Sequence, residues 1–219
     1  MVLNRFFIKR VFWELVHSFK LVKDQYSLLA PFYNHLTKLV FGDQLKLAKT
    51  CFSENLAGKK VLIIGGGDGL DYQVFKDQLA GEYWEISRSM LQKAEANLKE
   101  SRLSFRLGYF QAEKEKVFDE VWLHFVLDTM LDEEIISLLG EIRNSLKPEG
   151  RIYLADFFAP KNAIQRGLHR SMITFFRIVV NHKRASIPDY EEILLSQEWA
   201  KNPEIEFLKG WVKAQIWRL

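Results

Sequence analysis

Four glycines stand within five residues of the stretch VLIIGGGDGLDY, at Gly65, Gly66, Gly67 and Gly69, and Glu85 follows twenty residues after Gly65. A glycine-rich turn opening from a strand lets a ligand come close to the backbone. A carboxylate at the end of the next strand can accept both hydroxyls of a ribose. Glycine turn and acid together therefore point to a cofactor built on a nucleoside. Farther along, His124 closes the segment FDEVWLHFVL, and with an ordinary pKa of about 6.5 it would suit a general base. Asp128 and Asp156 end neighbouring segments, where each could orient an acceptor or His124, or cap the turn that follows. No Cys/His cluster has metal-ligand spacing and the acids are scattered, so no metal dependence is expected.

Three cofactor classes use such a turn. The dinucleotide fingerprint needs a third small residue for close helix packing, and Leu70 stands there. The phosphate-cradling P-loop needs Gly-Lys-Ser/Thr, and this chain has Gly69-Leu70-Asp71. S-adenosylmethionine carries no phosphate, and its cationic sulfonium and amino group suit an acidic surround such as Asp68 and Asp71. Charge by segment agrees: residues 1–60 carry ten Lys/Arg against four Asp/Glu, 61–156 eleven against eighteen, and 157–219 ten against six. The glycines lie in the acidic middle. The basic, aromatic flanks are either solvated faces or a meeting place for an acidic or lipid-like partner.

The elements that must position these groups alternate. KVLII reads as a buried parallel strand, LDYQVFKDQL as a helix, and GEYWEIS as a second strand. Ser87 then caps the helix SMLQKAEANLKES, whose Met90, Leu91, Ala94 and Leu98 share a face. LSFRLGYF is a weaker third strand and FDEVWLHFVL a fourth. DEEIISLLGEIRNSL is a helix with acids in its first turn, and LKPEGRIYLADFF gives a Pro/Gly turn and a fifth strand. Such alternation predicts βαβ units and a parallel sheet covered on both faces. Beyond Pro160, IQRGLHRSMITFFRIVVN reads as helical, SIPDYEEILLSQEWA as a helix with Pro188 near its start, and EIEFLKG and WVKAQIWRL as two closing strands about Gly210.

VLIIGGGDG, YWEISRSMLQKAEAN, FDEVWLHFVLDTM and LKPEGRIYLADFF, in this order, resemble the class I S-adenosylmethionine-dependent methyltransferases. YSLLAPFYNHLTKLVFG upstream is loosely similar to the ubiquinone/menaquinone biosynthesis C-methyltransferase branch. The resemblance implies a Rossmann-like α/β fold with a mostly parallel seven-stranded sheet of order 3-2-1-4-5-7-6, its last strand antiparallel, and helices on both faces. It implies that Gly65, Gly66, Gly67, Asp68, Gly69, Glu85, Ile86, Met90, Tyr109 and His124 line the cofactor, with His124 near the transferable methyl. It implies further that Tyr26 and Tyr33 fold over the cofactor, and that the helical insert at about 161–186, with His169 and Phe176, caps the acceptor beside Asp156. Residues 1–58 would form an N-terminal helical extension and 59–219 the methyltransferase domain. Two positions depart from the pattern. Ile63 replaces the usual acid within the first strand, and Tyr109 replaces the Asp of Gly-Asp after the third.

The expectation is a methyltransferase acting on a small aromatic or lipophilic acceptor; the alternative is an S-adenosylmethionine-binding regulatory or scaffolding protein without catalysis. A spermidine-synthase reading lacks its aspartate pair. A nucleic-acid methyltransferase would need Asp/Asn-Pro-Pro-aromatic where His124-Phe125-Val126-Leu127 stands, so no nucleic-acid partner is expected. The lone Cys51 fits a reducing, cytoplasmic setting, and the charged residues of 1–20 exclude a membrane span or secretory signal there. Phe7, Val11, Leu15, Phe19 and Val22 recur at helical spacing. Such a helix would serve as a lid over the acceptor or rest on anionic lipid.

Overall fold

The computed structural model describes residues 40–219 apart from residues 54, 113–114 and 180–185, and omits the side chains of 175–179. Tyr26, Tyr33, the side chain of Phe176 and the expected helix within residues 1–22 lie outside the described residues.

Seven strands form one sheet of order β3-β2-β1-β4-β5-β7-β6. β1 (Val61–Ile64) lies between β2 (Ala80–Glu85) and β4 (Phe118–His124), parallel to both. β3 (Arg102–Leu107) extends the parallel set at one edge and β5 (Leu146–Phe157) at the other side. β7 (Val212–Arg218) runs antiparallel between β5 and β6 (Ala200–Phe207). All four residues of β1 are buried, as the uninterrupted apolar run VLII requires of a strand covered on both faces.

Helices cover both faces. Beneath one lie Leu62, Ile64, Val121, Leu123, Ile152 and Leu154, packed on α3 (Asp132–Ser145) and α5 (Tyr190–Ser196). Ile135, Leu138, Leu139 and Ile142 recur at three- and four-residue steps on the buried side of α3. On the opposite face Val61, Ile63, Tyr83 and Trp122 pack against Tyr72 and against Leu91, Ala94 and Leu98 of α2 (Arg88–Asn97) and its C-terminal end. Ser87 caps α2, its side chain accepting from Met90 N, as expected. A third cluster joins Phe41, Phe157, Trp211 and Val212 at the β5–β7 end.

The helix expected over Leu70–Leu79 is instead a 3-10 helix, Leu70–Phe75, followed by turns. Residues three apart eclipse in that geometry. Tyr72 and Phe75 thus share one side, and their rings sit 5.5 and 6.1 Å from that of Trp122. The Pro/Gly turn before the fifth strand becomes a break in pairing: Phe118 faces Leu146 whereas Glu120 faces Arg151. α1 (Gln44–Thr50) lies in the stretch expected as an extension, yet it packs on β7 and on the 3-10 helix. α4 (Ala163–Val179) follows β5. No helix among the described residues is long and apolar enough to cross a membrane.

Candidate active site

The glycine loop leaves β1 through three residues in the left-handed region: Gly65, Gly67 and Gly69 have φ of 65°, 72° at the last and 68° between. Gly66 has a different reason to be glycine. A Cβ there would strike the Tyr83 hydroxyl and Ile63, and the same hydroxyl donates to Gly67 O at 3.0 Å. Glu85 completes the loop from β2. Its Oε2 accepts from Gly67 N at 3.0 Å and its Oε1 from Ser87 N at 2.9 Å. Burial pushes its carboxyl above the usual range, opposed by the N–H groups of Ser87, Gly67 and Ile86. With three N–H groups directed at it, the carboxylate still has acceptor capacity for a ligand hydroxyl. Asp68 turns the chain, accepting from Leu70 N through its side chain and from Asn97 Nδ2 through its carbonyl.

The β2–β3 end is open. Gly108 N donates to Glu85 O at 3.0 Å, which sets the end of β3 beside Glu85. Ile86, Leu107 and Tyr109 are 53, 43 and 75% exposed there, with Met90 half-buried in the first turn of α2. The fold thus brings Gly65–Gly69, Glu85, Ile86, Met90 and Tyr109 to one margin, a carboxylate flanked by unburied apolar side chains.

The β4–β5 end is closed. His124 is only 4% exposed, its ring stacked on Trp122 at 5.6 Å and its Nδ1 3.0 Å from the Tyr72 hydroxyl. Burial, then the Lys49 charge, drives its pKa well below 6.5, and burial drives Tyr72 well above 10. Both groups are therefore neutral, and a hydrogen bond joins them whose direction the imidazole tautomer sets. A base with the ordinary pKa of about 6.5, as expected from sequence, is not what this environment makes.

Asp156 fares similarly. Fully buried, it accepts from Phe157 N at 2.8 Å and from Asp128 N at 3.4 Å. Burial and the neighbouring Asp128 charge push its carboxyl well above 3.8. His124 faces Ala155 in register, so Asp156, the next residue, projects to the other face of the sheet. The sheet separates Asp156 from His124, and Asp156 is committed to the backbone of the 3-10 turn Leu127–Thr129, which carries Asp128. His169 lies elsewhere, on α4, half-buried with its ring 6.4 Å from Trp211 and its pKa lowered by burial. Beside it a cavity of about 200 Å³ is lined by Val40, Phe41, Gln165, Leu168, Leu208, Lys209 and Trp211. Phe157 links the two ends, 5.3 Å from Phe125 and 5.2 Å from Trp211.

Two residues here carried no sequence signal of their own. Tyr72 is the partner of His124, and Lys49 of α1 reaches Asp71 at 2.7 Å. Among the described residues no three His, Cys, Asp or Glu side chains gather as a metal-binding group.

The family model described as "Methyltransferase domain" matches residues 62–154, from within β1 to within β5. No curated protein sequence matches the chain significantly. Among solved structures, the mitomycin 7-O-methyltransferase MmcR superposes with a TM-score of 0.63 at 17% identity, covering 94% of this chain. This chain spans 60% of the length of MmcR. A chain of a complex that contains the Haloferax volcanii Trm112 methyltransferase activator gives 0.68 at 18% identity, covering 90% of this chain and 99% of that one. DhpI, solved with S-adenosylhomocysteine, gives 0.63 at 13% identity, covering 88% of this chain and 92% of that one. The fold is that of the class I S-adenosylmethionine-dependent methyltransferases, with the sheet order and the antiparallel last strand that the sequence resemblance implies.

Proposed function

We propose that the chain binds S-adenosylmethionine along the glycine loop and transfers its methyl group to a small aromatic or lipophilic acceptor. The observation that carries this is Glu85: a buried carboxylate at the end of β2, anchored on Gly67 N, with lone pairs to spare and an open apolar margin beside it. In this reading Glu85 accepts the ribose hydroxyls, while Ile86, Leu107 and Tyr109 flank the base. The cofactor supplies a methyl already activated by a sulfonium, so the chain's task is to position an acceptor and exclude water. The apolar cavity near His169, lined by Phe41, Leu168 and Leu208 among others, supports a lipophilic acceptor on the β5 side. Among the described residues His124 is sealed with its basicity lowered and Asp156 is buried against backbone N–H groups, so neither reaches an acceptor as a base, which favours an acceptor that is itself nucleophilic, such as a phenolate or a stabilised enolate.

Neither departure from the family pattern obstructs this cleft. Ile63 is sealed in the core, and Tyr109 stands open at the margin. Calorimetric titration tests the reading: S-adenosylhomocysteine should bind and NAD should not. The reverse result overturns it. Transfer of labelled methyl from S-adenosylmethionine to a panel of phenols and quinols, read by mass spectrometry, then defines the acceptor.

A further inference from the structure

Away from the Glu85 cleft one buried donor lacks a partner. The Trp211 indole, 2% exposed, is boxed by the rings of Phe41, Phe157 and His169 at 5.6, 5.2 and 6.4 Å, and its Nε1–H meets no acceptor among the described residues. A buried N–H left in this way costs stability until something supplies an acceptor. Trp211 lines the cavity of about 200 Å³, whose other lining side chains cannot do so. Val40, Phe41, Leu168 and Leu208 are apolar and Lys209 only donates, while Gln165 Oε1 already accepts from Lys161 N and its Nε2 donates to Leu208 O. The cavity wall is also set in advance. Leu208, Lys209 and Gly210 run consecutively through the left-handed region, with φ of 50, 57 and 77°, which only the glycine adopts without strain. Gln165 on Leu208 O, and Phe158 N on Trp211 O at 2.8 Å, hold that turn in place. Strain maintained by fixed neighbours is characteristic of ligand-binding segments.

Strand order puts this cavity at a distance from the reacting atom. From β2 to β7 the sheet takes four steps, through β1, β4 and β5, and at about 4.8 Å per step Trp211 lies roughly 19 Å from Glu85. About five bonds of roughly 1.5 Å join a ribose hydroxyl to the methyl of S-adenosylmethionine, so covalent reach and one hydrogen bond keep that methyl within about 10 Å of Glu85. Roughly 10 Å then separate it from the cavity. The cavity is also smaller than the about 300–1,000 Å³ of a site that encloses a whole small molecule, so it suits one end of a longer one. We propose that it is a remote recognition point for the methyl acceptor, an elongated lipophile whose far end carries an uncharged oxygen, as of a ketone or ether, that accepts from Trp211 Nε1. One donor and no free acceptor among the lining side chains fit an oxygen that only accepts. A hydroxyl would bury its own proton unpaired, and a carboxylate would lose water beside a neutral donor, since Lys209 is exposed to solvent. The inference rests on the methyl-transfer reading of the Glu85 cleft.

The test uses acetophenone, with a carbonyl on an apolar ring, and α-methylstyrene, its isostere without the oxygen, on the full chain labelled with nitrogen-15 at tryptophan. Six tryptophans give six indole N–H resonances, and the one missing from Trp211→Phe belongs to Trp211. Acetophenone should move that resonance downfield and bind about threefold to tenfold more tightly than α-methylstyrene, the worth of one neutral hydrogen bond. Benzoate should bind more weakly than acetophenone. Trp211→Phe should bind the two neutral compounds equally, with its other indole resonances in their native positions reporting that it is folded. In methyl transfer to a phenol that carries a ketone at the end of an alkyl chain, Trp211→Phe should raise KM about threefold to tenfold and leave kcat within about twofold, because Trp211 does not meet the reacting atom. An unmoved Trp211 resonance, or benzoate preferred to acetophenone, overturns the site while S-adenosylhomocysteine binding at Glu85 still stands. A fall in kcat with KM unchanged overturns its remoteness from the chemistry. A protein that binds acetophenone at Trp211 but no S-adenosylhomocysteine overturns the methyl-acceptor assignment together with the cofactor reading.

Discussion

The two ends of the parallel strands are built on opposite plans. At the β2–β3 end the carboxylate of Glu85 faces a loop of backbone N–H groups, and the neighbouring Ile86, Leu107 and Tyr109 are left in water. At the β4–β5 end His124 and Asp156, both titratable and both at strand termini, are sealed among rings or against backbone. Position at a strand end is thus not enough to make a residue reactive. Access is decided by what the neighbouring segments lay on top, and here Tyr72 covers His124 while the sheet itself separates His124 from Asp156.

If the contrast is right, changes at the closed end cost stability and changes at the open end cost ligand affinity. The largest expected effect is at Trp122, fully buried between Tyr72, Phe75 and His124. Trp122→Ala should destabilise the fold by about 3–5 kcal/mol in urea unfolding. A loss below about 1 kcal/mol would mean that the stack is loosely packed and His124 reachable.

Glu85→Ala should weaken S-adenosylhomocysteine binding by about 1.5–3 kcal/mol, the range for a charged hydrogen-bond partner. Because Gly67 N and Ser87 N both lose their acceptor, the same variant should also lose stability, by about 1 kcal/mol for each bond. Glu85→Gln, with one acceptor oxygen for the two N–H groups, should recover at most one of these bonds: partly recovered stability with affinity still reduced supports a ligand role, whereas restored affinity would show that Glu85 only shapes the loop.

His124 gives the closed end a pH signature. Its folded pKa lies well below 6.5, so as pH falls through 6.5 the unfolded chain takes up a proton that the folded chain refuses. Stability from this group is therefore complete above pH 6.5 and is lost progressively as pH falls below it. Unfolding of the intact protein compared with His124→Phe at pH 7.5 and 5.5 isolates the contribution. The same burial predicts no inflection near pH 6.5 in the methyl-transfer rate from His124; an inflection that disappears in His124→Phe would reopen its role as a base.

The smallest effect is expected at Tyr109, three-quarters exposed. Tyr109→Ala should leave the unfolding midpoint unchanged and weaken S-adenosylhomocysteine by about 0.5–1.5 kcal/mol, the worth of an aromatic contact. A drop in stability instead would place Tyr109 in the packing of the β3 end and blur the contrast.

Most of this architecture is legible in the chain because its signals are local. VLII must be buried on both faces, Ser87 must cap, and the i, i+3, i+4 spacing of Ile135, Leu138, Leu139 and Ile142 fixes which side of α3 packs. The glycines and Glu85 are legible for the same reason, since a strand–loop–strand unit sets their separation. The first crossover shows where locality stops: Leu70–Leu79 has helical spacing, yet contact with Trp122, some fifty residues on, selects a 3-10 helix that presents Tyr72 and Phe75 together.

What the sequence determined by itself, then, is the sheet, its crossovers and the loop that could cradle a nucleoside, each encoded within a few tens of residues by periodicity and backbone freedom. Only the tertiary structure decided the protonation and reach of the polar groups. His124 is an ordinary histidine until Tyr72 and Trp122 close on it, Asp156 an ordinary acid until β5 buries it, and Lys49 one lysine among many until α1 lays it on Asp71. Desolvation and Coulomb interaction depend on distance in space, and no spacing along the chain encodes distances between residues 22 and 52 positions apart.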